Sequence, residues 1–224
     1  MGDGIVLMGL AQCGICSFET ARKAVHMTAA PIFMWSWWLY PDASTTSILL
    51  AACPALFQII ALMALLLLSH TSPHYVPKCI LRIGSRSGKP VELLLGPGMY
   101  YCIVVWCTIT GFRSYAAVLT LSILAGGDGC ASVAGRKWGK TNPLPWNTSK
   151  SWLGMGAFVV GSMTWSLPLL TVAAQWGWVT LSLSQVLCAL LLCCLGAVIE
   201  SVDSRGLDNM MVGMLVYLLA LLPQ

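Results

Sequence analysis

Seven long apolar runs follow one another along the chain, at 24–41, 46–69, 97–112, 114–131, 153–175, 178–199 and 209–223. A helix rises about 1.5 Å per residue, so roughly twenty apolar residues cross the hydrocarbon core of a bilayer. Only 9% of the residues are charged and 58% are hydrophobic, whereas a soluble domain carries about 25% charged residues. A water-soluble fold of this size has too few charges to cover its surface. The sequence therefore predicts an all-α, polytopic transmembrane helical bundle of about seven spans, or eight if the shorter run at 4–16 also crosses. No linker or repeat divides residues 1–224, so one domain is expected. Several runs are short, which suggests tilted or broken helices, and Pro31, Pro54 and Pro168 lie inside spans where neighbouring helices can satisfy the freed carbonyls.

Seven crossings place alternate loops on opposite faces. Of the twelve Lys and Arg residues, Arg113 alone falls on one face; Arg22, Lys23, Lys78, Arg82, Arg86, Lys89, Arg136, Lys137, Lys140, Lys150 and Arg205 fall on the other. That bias makes the basic face cytoplasmic or its organellar equivalent. Glu19, Glu92, Asp128, Glu200, Asp203 and Asp208 share this face, and Asp42 is opposite. A transporter more often keeps ionisable groups near the midplane, so the one-sided pattern suits an enzyme whose site opens at one interface. The net charge of +4 is too small to indicate nucleic acid. Cys102, Cys107, Cys188, Cys193 and Cys194 lie in apolar runs as small hydrophobes, and Cys13 and Cys16 form a lone CxxC read as packing. The first twenty residues lack the features of a secretory signal or transit peptide, so targeting is internal or the N-terminus is incomplete.

Three polar segments carry candidate chemistry. Residues 126–154 read GGDGCASVAGRKWGKTNPLPWNTSKSWLG. Asp128 is expected at the end of an apolar helix, among glycines that let a backbone approach a ligand, with Ser132 and Gly135 continuing the narrow face. Arg136, Lys137, Lys140 and Lys150 can clamp a polyphosphate. The plainer alternative is a basic loop with glycines that serve helix packing. GRKWGKT is one residue short of a P-loop and follows a membrane helix, which excludes that motif. The second segment, ESVDSRGLDN (200–209), brings Glu200, Asp203, Asp208 and Asn209 to the same face, where carboxylates and nucleotide phosphates together suit Mg²⁺. Its alternative is a solvated turn. The third, Arg22-Lys23-xx-His26, puts Arg22 and His26 on one helix face, as site residues or as interfacial anchors. Residues 86–97, RSGKPVELLLGP, read as a polar loop entering a helix near Pro97, and the Asn147 sequon should stay unmodified on this face.

In this order the motifs RKxxH, RSGxPxELLxGP, the GGDG…KSWLG run and the terminal Asp208-Asn209 pair resemble the phytol kinase and farnesol kinase group of the polyprenol and dolichol kinase family. The resemblance covers residues 20 to 222. It implies a Mg²⁺-dependent kinase that takes CTP as phosphoryl donor and phosphorylates the terminal hydroxyl of phytol, farnesol or geranylgeraniol, held in the lipid bilayer. In plants and algae such a kinase feeds tocopherol synthesis in a chloroplast membrane. One departure is Leu153, which stands where the wider family often has an acid before its glycine; the phytol branch tolerates an apolar residue there.

The residue reading and the resemblance lead to one set of expected roles. Asp128, Glu200 and Asp208 are the catalytic and metal-binding carboxylates. Gly127, Gly129, Ser132, Gly135, Arg136, Lys137, Gly139, Lys140, Lys150 and Ser151 bind nucleotide and phosphate. Arg22, Lys23, His26, Arg86, Glu92 and Asn209 are further polar candidates, with His26 and Asp128 as alternative acceptors of the hydroxyl proton. The rival readings are a CTP-using cytidylyltransferase of the phosphatidate type, which would release pyrophosphate, and a small membrane transporter.

Overall fold

The computed structural model describes residues 17–72, 89–202 and 207–222, together with positions 74, 76, 81 and 85. Among these residues it is a bundle of seven α-helices: α1 (Phe18–Ser36), α2 (Thr45–Thr71), α3 (Met99–Gly111), α4 (Tyr115–Trp138), α5 (Trp152–Gln175), α6 (Leu183–Ser201) and α7 (Asp208–Ala220). The helix α3 is entered through a wide helical turn over Leu94–Gly98 that contains Pro97. Five helical stretches are long and apolar enough to cross a membrane: Thr45–Thr71, Leu94–Gly111, Tyr115–Thr141, Trp152–Gln175 and Leu183–Ser201. The chain is thus a multi-pass helical membrane protein. The short run at 4–16 and the Cys13–Cys16 pair lie outside the described residues.

Local sequence sets the helix ends. Ser17, Ser44, Ser114, Ser151 and Ser182 each stand at an N-cap in extended conformation, and each hydroxyl accepts the backbone N–H three residues on. Such a cap satisfies one of the four orphan donors of a helix start. Pro31, Pro54 and Pro168 lie within α1, α2 and α5, which run through them. The helix α1 begins earlier than the apolar run at 24–41, so that Arg22, Lys23 and His26 all lie in its first turns.

The helix α4 is the axis of the bundle. Every residue from Tyr115 to Gly129 is buried, and α1, α3, α5, α6 and α7 all pack against it. Helices in lipid gain little from the hydrophobic effect and associate through close packing of small residues. The α4–α5 contact shows this: a Cβ on Gly126 would run into the Gly161 carbonyl, and one on Gly161 would strike the side chain of Cys130. By contrast α2 packs mainly on α3 and presents Leu49, Phe57, Ile60 and Leu67 outward, as a peripheral lipid-facing span does.

The two ends of the bundle differ. At one end Arg113, with φ 61°, donates from its guanidinium to the carbonyls of Trp37 and Tyr40 and lies 4.8 Å over the rings of Phe112 and Trp178. Trp35, Trp37, Trp176 and Trp178 cluster beside it, an aromatic belt of the kind found at a membrane interface. The start of α1, the end of α4, the start of α5, the end of α6 and the start of α7 meet at the other end. The cysteines of the spans are free thiols: Cys107 and Cys193 are buried, and Cys102 and Cys194 are exposed.

Candidate functional site

Two lysine–carboxylate groups form the polar end. In the first, Lys23 of α1 donates to Asp128 Oδ2 of α4 at 2.8 Å, with 7% and 13% of the two side chains exposed. His26, one turn along α1, brings Nε2 to 3.3 Å from the same oxygen and 3.1 Å from the Leu124 carbonyl. Its ring lies 4.5 Å from that of Tyr100 on α3. The spacing of Lys23 and His26 aims both at one carboxylate because residues three apart share a helix face.

In the second group Lys150 donates to Glu200 Oε1 at 2.5 Å and lies 4.0 Å from Asp208 Oδ2. Glu200 ends α6 and is buried; Asp208 opens α7, where a carboxylate is favoured by the partial positive charge of a helix N-terminus. Glu200 also lies within electrostatic range of Asp128, which joins the two groups.

The loop between α4 and α5 sets the position of Lys150. It is folded on itself by backbone bonds from Leu144 N to Lys150 O, Lys150 N to Asn147 O and Trp152 N to Asn142 O, each 3.0 Å. It is then strapped to the end of α6. Trp146 Nε1 donates to Ser201 Oγ at 3.1 Å and Asn147 Nδ2 to the Ser201 carbonyl at 3.0 Å. Trp146, Asn147 and Ser201 were not among the site residues expected from sequence. Trp146 and Asn147 sit within the long GGDG…KSWLG motif, which is the signal that marks them.

The remaining candidates are distributed as follows. Asp128 lies inside α4, ten residues before its end, rather than at a helix terminus, because the glycines around it serve helix contacts. Gly127 faces Ser162 and Phe158, and Gly129 faces Met27, so these buried glycines admit neighbouring helices. Gly135 lies against Ser151 and Gly154, and a Cβ on Gly139 would run into Ser151 Oγ. Ser151 caps α5, and Ser132 donates to the Gly129 carbonyl at 3.1 Å. Arg136, Lys137 and Lys140 are exposed at the end of α4, with Lys137 4.8 Å over the Trp138 ring. Arg22 and Asn209 are partly buried at the same end. Glu92 accepts from Ser85 Oγ at 2.8 Å. Arg86, Asp203, Arg205 and the side chain of Glu19 lie outside the described residues. Among the described residues no three His, Cys, Asp or Glu side chains gather closely enough to enclose a metal by themselves. Asp128, Glu200 and Asp208 are instead shared between the two lysines.

These features define a polytopic membrane protein with two lysine–carboxylate groups gathered at one bilayer face. Comparison narrows the class. The chain is 31% identical over 207 residues to a probable chloroplastic phytol kinase of Triticum aestivum, covering 90% of this chain and 66% of that protein. It is 31% identical over 219 residues to a probable phytol kinase 1 of Oryza sativa subsp. japonica, with coverage of 96% and 67%. A chloroplastic farnesol kinase of Arabidopsis thaliana is 28% identical over 199 residues, covering 88% of this chain and 62% of that protein. The chain belongs to the phytol kinase and farnesol kinase family, and spans about two thirds of the length of the cereal relatives. No family model matches it, and neither does any solved structure.

Proposed function

We propose that this protein phosphorylates the terminal hydroxyl of an isoprenoid alcohol, phytol foremost, with CTP as donor, in a plastid membrane. The observation that carries this reading is the pair of joined lysine–carboxylate groups at one end of an apolar bundle, in a family whose relatives are named phytol and farnesol kinases. In phosphoryl transfer a protein contributes mostly positioning and charge neutralisation. The alcohol oxygen attacks the γ-phosphorus, the bond to the β–γ bridging oxygen breaks, and CDP leaves. Asp128 Oδ2 is the acceptor for the hydroxyl proton, and His26 Nε2, which donates to the Leu124 carbonyl 3.1 Å away and faces that carboxylate at 3.3 Å, helps to hold it. Lys23 keeps that carboxylate in place, while Lys150, Lys140 and Arg136 neutralise phosphate oxygens.

The donor set fits Mg²⁺. Such an ion is usually held by one or two carboxylates plus substrate phosphates and waters rather than by an all-protein cage. Glu200 and Asp208, which already flank one cationic group, would hold it, with Asp128 in electrostatic range. Bound there, it would neutralise charge on the transferred phosphoryl group.

The test is the purified full chain in nanodiscs with phytol, Mg²⁺ and γ-labelled CTP. Label should enter phytol and be lost in Asp128→Asn, counted per folded molecule because the substitution also removes the counter-charge of buried Lys23. Pyrophosphate release with phosphatidate, without label in any isoprenoid alcohol, would make the protein a cytidylyltransferase. Full turnover in Asp128→Asn would remove Asp128 from the site.

A further inference from the structure

Trp146 stands in the loop between α4 and α5 with 53% of its surface exposed, yet its indole is fixed at two places. Nε1 donates to Ser201 Oγ at 3.1 Å, and the ring meets that of Trp152 edge-on, with centroids 5.4 Å apart and an interplanar angle of 83°. Trp138 and Trp152 lie at the ends of the membrane spans Tyr115–Thr141 and Trp152–Gln175, whereas Trp146 lies between them, outside both. A tryptophan that anchors a chain at a membrane interface turns its apolar body to lipid and its N–H to water. Trp146 instead gives its N–H to buried Ser201 and leaves its ring exposed at the end of the bundle that carries the ion pairs.

The same turn of chain carries Lys150. A bond of 3.0 Å from Leu144 N to Lys150 O closes residues 144–150 on themselves. Both long side chains then reach the end of α6, Trp146 to Ser201 and Lys150 to Glu200. Those two partners are consecutive residues, whose Cα atoms lie about 3.8 Å apart. A nucleotide whose phosphates meet Lys150 therefore has its base within reach of the Trp146 ring. We infer that the exposed face of Trp146 stacks on the base of the donor nucleotide. The inference rests on the kinase reading and adds the part of the site that holds the nucleoside. The lysine–carboxylate groups answer to charge, whereas a nucleobase is an uncharged aromatic ring that needs an apolar, flat partner. Every base has a π-face, so Trp146 supplies affinity without choosing among bases.

Two measurements on the full chain in nanodiscs test this. Tripolyphosphate, which has the phosphates of the donor and no base, serves as a competitive inhibitor against CTP. In Trp146→Ala the ratio of the CTP KM to the tripolyphosphate Ki should rise about tenfold, near the low end of what a lost base–aromatic stack costs. Trp146→Phe keeps a ring and loses the bond to Ser201, and should bring that ratio back towards wild type. A wild-type ratio in Trp146→Ala overturns the inference and leaves the kinase reading standing. Both constants then move together because the ring only straps the loop, or neither moves because it only anchors the chain at the membrane. The second measurement uses the wild-type chain, so it does not depend on how a variant folds. CTP iodinated on its base should crosslink to Trp146 under near-ultraviolet light, and excess CTP should prevent it. Crosslinks confined to other residues overturn the assignment equally. A wild-type chain that phosphorylates no alcohol sinks both readings.

Discussion

The Lys23–Asp128 pair allows a quantitative test of how the site is held together. At 2.8 Å, two unit charges at an effective dielectric of 20 attract by about 6 kcal/mol, most of which offsets the cost of removing them from water. Removing one partner strands the other: a single buried-pair deletion costs about 3–5 kcal/mol, while replacing both with apolar groups is often neutral. His26 remains 3.3 Å from the carboxylate, so Lys23→Met belongs at the lower end, about 3 kcal/mol. Asp128→Leu leaves Lys23 buried beside an imidazole and should cost about 4 kcal/mol. The double variant Lys23→Met/Asp128→Leu should be destabilised by about 1 kcal/mol or less, a coupling of roughly 6 kcal/mol or more. Unfolding of the four proteins in mixed detergent micelles, followed by tryptophan fluorescence, measures this cycle. If the double variant loses the sum of the two single losses, the pair is not a coupled unit and the reasoning fails.

Other positions give sharper local contrasts. Gly126→Ala forces a methyl against the Gly161 carbonyl and should destabilise by about 1–3 kcal/mol, whereas Gly156→Ala, with nothing within 4 Å of the added carbon, should be neutral or stabilising in the same unfolding assay. Asn147→Ala deletes the bond to the Ser201 carbonyl; about 0.5–1.5 kcal/mol of stability should go, and the nucleotide KM should rise more than the alcohol KM because Lys150 loses its fixed reach. Asp42 accepts from Ser47 and Ser44, which hold its carboxyl below the ordinary carboxylate range. Its contribution to stability is therefore present above the unfolded carboxylate value and lost as pH falls through the lowered folded one. The difference between wild type and Asp42→Ala should persist at neutral pH and vanish in acid.

Hydropathy located the helices well, because burial in lipid demands long apolar runs whatever the packing. The expected runs at 46–69 and 153–175 nearly match Thr45–Thr71 and Trp152–Gln175. Its error lay where charge entered a helix. The run at 114–131 continues as α4 to Trp138, since Asp128, Arg136 and Lys137 need only a partner or an exposed end to be helical. At the site, residue type and loop side brought Lys23, His26, Asp128, Lys150, Glu200 and Asp208 to one face. Their division into two lysine-held groups was not legible, because it depends on which helix neighbours α4. Nor was the use of the glycines: the same GGDG run permits a ligand or a helix, and only the positions of Gly161, Phe158 and Met27 decide between them.

The two ion pairs, one buried and one part-buried, bear on a property that every membrane protein shares with its bilayer, electrical insulation. Unmatched carboxylates at the edge of the hydrocarbon would draw in water and make the bundle interior a path for protons. Lys23 and Lys150, at 2.8 and 2.5 Å from their carboxylates, supply the counter-charge from within the fold. The hydrophobic segment of α4 from Tyr115 to Gly129 then runs buried from the opposite face up to that matched pair. Charged side chains are thereby set into a membrane while leaving the membrane sealed.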